Sequence, residues 1–183
     1  MDGLNQKQDK RWQFLFSWIS SLVFLPVLIY YIINHGQFTL LDYLDLLIHE
    51  GGHGIFRIFG EFIYFCGGTL MQMIIPSMFL IFYLVHKQKI LFQLSLFWLG
   101  ENLMNISVYA ADARAHLLPL LGGNKVHHDW TYILNKLDII EYDALVGDIF
   151  FYAGVVCFIF VFLAPLYIKQ KEKTKDVELD LPL

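Results

Sequence analysis

The length of its apolar runs limits most strongly what this chain can fold into. Stretches at about residues 14–33, 62–85, 90–110 and 149–168 each approach or exceed the roughly 20 apolar residues that a membrane-crossing helix needs. Only 16% of the 183 residues are charged, and mean hydropathy is +0.52. A soluble domain carries about 25% charged residues. In hydrocarbon no water satisfies the backbone, so segments of this kind close their hydrogen bonds internally as helices. The expected fold class is all-α, a polytopic membrane helix bundle with about five apolar segments.

The expected organisation follows from the same pattern. A polar N-terminal tail covers residues 1–13 and a membrane domain covers 14–168, with an extramembrane loop at 111–148 marked by Pro119, Gly122 and Gly123. A charged tail at 169–183 is too polar to pack and is expected to be disordered. The first run is long for a signal peptide, and Asn34-His35-Gly36 follows it rather than a small-residue cleavage site, so it reads as a retained span. A net charge of −4, spread along the chain, argues against a nucleic-acid partner. Cys66 and Cys157 sit in apolar stretches and form no disulfide framework or zinc ribbon.

The remaining apolar segment, about residues 40–59, differs in kind because it carries Asp42, Asp45, His49, Glu50, His53 and Arg57. Asp42, Asp45, His49, His53 and Arg57 recur at three- and four-residue steps and so share one helical face. Inside a membrane each ionisable side chain costs about 3 kcal/mol, so such a stripe implies a protein-lined or hydrated cavity. The segment either crosses fully or dips in and returns. With five full spans, Lys and Arg divide almost evenly between the two sides. A re-entrant segment instead gathers both termini with Lys87 and Lys89 on one side.

Within this segment stands His49-Glu50-Gly51-Gly52-His53. Histidines four residues apart on a helix lie one above the other and reach one metal ion, with the glutamate between them placed as a general base. A catalytic zinc site takes three protein ligands and keeps a position open for water. In the fourth long segment Glu101, Asn105, Tyr109 and Asp112 again share a face, and Asp112 is the chosen third ligand. Its alternative is a helix-end aspartate paired with Arg114. Asp45, one turn before His49, is either an outer partner orienting that imidazole or a carboxylate near the membrane surface. Gly67-Gly68 lets a neighbouring backbone approach closely or serves helix packing. Asp129 is expected to cap a short interfacial helix bearing Trp130, Ile133, Leu134 and Leu137. His127 and His128 before it read as solvent-facing rather than as ligands.

These motifs resemble the intramembrane zinc metallopeptidases of the site-2 protease type, most of all the small bacterial members. The resemblance covers about residues 40–116. It implies Zn2+ held by His49, His53 and Asp112, with Glu50 as general base. It also implies a Gly-x-x-x-Asn element along the active site, whose nearest fit here is Gly68-Thr69-Leu70-Met71-Gln72, with glutamine for asparagine. Where that family has Asp-Gly, this chain reads Asp112-Ala113-Arg114. The chain is no metzincin, since Phe56 stands where that pattern requires glycine.

The functional expectation is a metalloendopeptidase in the lipid bilayer, multi-pass and in a bacterial cytoplasmic (inner) membrane. Its substrates would be membrane-spanning or membrane-proximal segments of a membrane protein or peptide. Gly68, Gln72 and Asn105 would position substrate or hold the oxyanion. The alternative is a non-catalytic membrane protein that binds a metal or protons, such as a transporter or an inactive relative of the protease, because intramembrane Asp, Glu and His also mark ion pathways. A haem site fits poorly, since axial histidines approach from opposite faces.

Overall fold

The computed structural model describes residues 14–119 and 127–168. Those residues form helices joined by short turns, and no strand occurs among them. The helices are α1 (Ile19–Ile33), α2 (Leu40–Phe56), α3 (Glu61–Val85), α4 (Lys89–Ala111), α5 (Asp129–Lys136) and α6 (Asp143–Tyr167). Single 3-10 turns at Arg57–Phe59 and Ile140–Tyr142 precede α3 and α6.

Three helices among the described residues are long and apolar enough to cross a membrane: Phe14–Ile33, Glu61–Val85 and Ile140–Tyr167. They mark a membrane protein, while the expected count of about five is not confirmed. The two other segments depart for a physical reason. Helix α2 has 17 residues, and at about 1.5 Å per residue it falls short of a core about 30 Å thick. Helix α4 has the length, but polar residues interrupt it and it lies deepest in the bundle, with Gln93, Glu101, Asn102 and Ser107 buried among its apolar residues. The tails and residues 120–126 of the extramembrane loop lie outside the described residues.

The main core joins α1, α4 and α6 through Leu28, Phe97, Met104, Phe158 and Val161. A second core, built on Ile106 and Ala110, receives Trp130, Ile133 and Leu134 of α5. The apolar face of α5 is therefore spent on protein rather than on the membrane interface, and only Leu137 of the expected stripe is exposed. Arg114 ties the α4–α5 connection to α6, donating from Nε to Asp143 Oδ2 at 2.8 Å and from Nη2 to Oδ1 at 2.5 Å.

Helix α2 starts with a capping box. Leu41 N–H donates to Thr39 Oγ1, and Thr39 N–H donates to the Asp42 carboxylate. Its polarity runs inside out. Asp42, Asp45, His49 and His53 are buried, whereas Tyr43, Leu47 and Ile55 face outward, as a helix between lipid and a polar interior requires. Of the five residues on the expected polar stripe, only Arg57 is exposed.

Helices α2 and α3 meet almost backbone to backbone. A Cβ added at Gly52 would lie 2.2 Å from the Gly67 carbonyl oxygen, and one at Gly68 would lie 2.4 Å from the His49 ring. Gly67-Gly68 is thus the place where a neighbouring helix and its histidine press against α3.

Candidate metal centre

The one-turn spacing of His49 and His53 on α2 brings their Nε2 atoms to 3.1 Å. The third member arrives from 80 residues along the chain: Asp129, the first residue of α5. Its Oδ2 lies 2.9 Å from His49 Nε2 and 3.2 Å from His53 Nε2. All three residues are buried, and they form the single group among the described residues able to hold a metal ion.

The other ring nitrogens decide what those three atoms can do. His53 Nδ1 lies 2.8 Å from the Tyr64 carbonyl oxygen, which only accepts, so Nδ1 carries the hydrogen. His49 Nδ1 lies 2.9 Å from Gln72 Oε1. That amide's orientation follows from its neighbours. Asp42 accepts from Asn105 Nδ2 at 2.5 Å, which turns Asn105 Oδ1 toward Gln72. Gln72 Nε2 donates to that oxygen at 3.2 Å, leaving Gln72 Oε1 for His49. Both neutral imidazoles therefore carry hydrogen on Nδ1 and present lone pairs at Nε2.

Two imidazole lone pairs and a carboxylate oxygen thus converge within 3.2 Å with no hydrogen of their own between them. Such a cluster calls for a cation at its centre, a metal ion or a shared proton. Two ligands of a tetrahedral zinc at about 2.0–2.1 Å stand about 3.3 Å apart, close to the observed spacings. Burial alone would raise the Asp129 carboxyl. A proton carried by His49 or His53 pulls it the other way and holds it down to about 2, so the ionised carboxylate goes with a cation in the cluster. Tyr109 completes the setting: its hydroxyl donates to Asp129 Oδ2 and accepts from Asp129 N–H, both at 3.2 Å.

The centre opens onto a cavity of about 430 Å³. Glu50, Asp42, Gln72, Glu101, Asn105 and Tyr109 line it beside the three clustered residues. Glu50 is exposed on α2 and, among the described residues, free of the hydrogen bonds that occupy the histidines. Leu46, Phe65, Met104 and Val108 add apolar walls.

Asp112 is not in the cluster. At the C-cap of α4 the chain turns away, and the Asp112 carboxylate accepts from the N–H groups of Leu117 at 2.8 Å and Leu118 at 3.0 Å. Nor is Arg114 its partner, since that guanidinium is taken by Asp143. Asp45 does not reach His49; it accepts from Trp98 Nε1 at 2.8 Å and Asn102 Nδ2 at 3.0 Å. The outer partner of His49 is Gln72. Gly68, Gln72 and Asn105 all stand at the centre, where their contacts hold His49. Asp129 does not cap α5. His128 does, accepting from Thr131 N–H, and its ring is buried rather than solvent-facing. The signal for Asp129 was the run His127-His128-Asp129 directly ahead of a helix, where a first-turn carboxylate is free to face inward.

Comparison with protein-family models, curated proteins and solved structures finds no match to this chain.

Proposed function

We propose that this protein is a membrane-embedded, zinc-dependent endopeptidase that cleaves membrane-spanning or membrane-proximal peptide segments. The observation that carries the reading is the convergence of His49 Nε2, His53 Nε2 and Asp129 Oδ2 as three acceptors, with Glu50 beside them on the cavity wall. A two-nitrogen, one-oxygen donor set suits zinc and leaves a position open. Zinc bound there supplies Lewis acidity, polarising a carbonyl and bringing the pKa of water toward about 7.

The chain's own residues supply the rest. Glu50 takes a proton from water as the water oxygen adds to the scissile carbonyl carbon. It then hands that proton to the departing nitrogen as the C–N bond breaks, leaving a carboxylic acid and an amine. Gln72 and the Tyr64 carbonyl hold the imidazoles in the tautomer that keeps both Nε2 lone pairs on the cavity side. Leu46, Phe65, Met104 and Val108 give the cavity an apolar wall suited to an unwound membrane segment, whose backbone must leave its helix to expose a carbonyl.

Purified protein incubated with a membrane-spanning reporter peptide tests this. Wild type should cleave it in a zinc-dependent way. Glu50→Gln should keep the metal and lose cleavage by at least about 100-fold, the usual scale for a general base. Cleavage by Glu50→Gln at the wild-type rate refutes the assignment.

A second reading has one specific observation in its favour. Asp42, Asp45 and Glu101 gather at the α2–α4 contact with no lysine or arginine among the described cavity-lining residues, as in an ion or proton path. It predicts metal or proton flux in vesicles that Glu101→Gln abolishes, with no peptide cleavage.

A further inference from the structure

Asp112 and His128 remain unused by the proposed chemistry, although both are buried. His128 Nδ1 accepts from Thr131 N–H at 3.4 Å, so that nitrogen carries the lone pair and the neutral ring carries its hydrogen on Nε2. Among the described residues Nε2 has no hydrogen-bond partner, and it stands 3.6 Å from Asp112 Oδ2. The imidazole is fixed in plane as well. It stacks on His116 at 5.1 Å and packs against the Tyr109 ring at 4.3 Å.

The same carboxylate accepts from Leu117 and Leu118 N–H, so Asp112 meets both ends of the connection between α4 and α5. The residue after His128 is Asp129. Coordination tolerates errors of only about 0.2 Å in ligand distance. A carboxylate on the first residue of a short helix therefore needs that helix start to be held.

We propose that Asp112 is a positioning residue of the metal centre: through His128 it fixes the start of α5 and thereby the aim of Asp129. This rests on the reading of His49, His53 and Asp129 as metal ligands. Asp112 thus serves the centre one residue removed, holding the loop that brings the ligand instead of being one.

The experiment is a double-mutant cycle on metal affinity in the full-length protein. Zn2+ affinity is measured by chelator competition, and the ligand set by the visible spectrum of the Co2+-loaded protein. His128→Asn keeps a side chain that caps helices well, so α5 still starts in the same place. It removes only the ring and its Nε2–H. His128→Asn and Asp112→Asn should each weaken Zn2+ binding 10- to 100-fold, the range for outer partners of metal ligands. The double variant should be no weaker than the worse single variant within about twofold, because both act through one contact. At saturation the Co2+ spectrum should stay that of the wild type.

Wild-type affinity in both single variants overturns the proposal, as do effects that multiply. A Co2+ spectrum in Asp112→Asn that matches Asp129→Asn also overturns it, by making Asp112 a ligand. Should Asp112→Asn fail to fold, His128→Asn decides alone: weakened Zn2+ binding with an unchanged Co2+ spectrum supports the proposal, and wild-type binding overturns it. A wild-type protein that takes up neither metal overturns the centre itself, and this inference with it.

Discussion

Replacing Asp129 by Asn separates the metal centre from every other role this cluster could have. The substitution is isosteric. It removes the charge that lies 2.9 Å from His49 Nε2 and 3.2 Å from His53 Nε2, and offers in its place either a weak carbonyl ligand or an amide hydrogen to the two lone pairs. That amide hydrogen supplies what the three acceptors lack, so the metal-free protein should still fold. Metal binding should fall further than for the loss of an outer partner, hence by more than about 100-fold. Thermal unfolding with Zn2+ present reads this directly. At 1,000 times Kd a ligand stabilises the native state by about 4.1 kcal/mol, and at 10 times Kd by about 1.4 kcal/mol. At a Zn2+ concentration set to 1,000 times the wild-type Kd, Asp129→Asn should therefore lose about two thirds or more of the metal-dependent stabilisation. An undiminished Zn2+ shift in Asp129→Asn, with a wild-type Co2+ spectrum, would refute the reasoning and return the third ligand to another residue.

Further outcomes follow from the same geometry. Gly68→Ala places a Cβ 2.4 Å from the His49 ring and should cost about 1–3 kcal/mol of stability together with most of the metal affinity. Gly54→Ala meets nothing within 4 Å and should leave metal affinity unchanged while gaining up to about 1 kcal/mol of helix stability, as melting curves with and without Zn2+ would record. Metal affinity should fall as pH falls, since protons compete for the imidazole lone pairs. That fall between pH 7 and 5 should come with net proton uptake as the metal is released. Arg114→Ala removes the two hydrogen bonds to Asp143 and should lower the melting temperature while leaving Zn2+ affinity within threefold of wild type.

The helical frame was legible because hydrocarbon leaves a backbone few alternatives, so apolar length and helix tracked each other at α1, α3 and α6. The polar face of α2 was legible for a related reason: five ionisable residues at helical spacing in an apolar setting must point inward together, and four of them do. His49 and His53 came from local geometry, since four residues on one helix set their separation whatever the tertiary structure. The third ligand did not. Helix periodicity extended the face of Glu101 and Asn105 on to Asp112, but periodicity ends where a helix ends, and α4 ends at Ala111. At the C-cap the freed N–H groups of Leu117 and Leu118 took the carboxylate. Asp45 shows the same limit in packing. One turn from His49 along α2, it is claimed by Trp98 and Asn102 from across the α4 contact, which no spacing within α2 encodes. Asp129 depends on where a loop returns, and its sequence signal was two histidines and an aspartate ahead of an amphipathic turn.

The central claim is a metal held by two imidazoles and one carboxylate inside a membrane protein. X-ray absorption at the zinc edge of the purified, zinc-loaded protein tests it most directly. The account predicts about one zinc per chain, with a shell of two imidazole nitrogens and light oxygen donors at about 2.0–2.1 Å. It predicts that His53→Ala removes one imidazole from that shell. A shell without imidazole, a shell that His53→Ala leaves unaltered, or a protein that holds no zinc would contradict it.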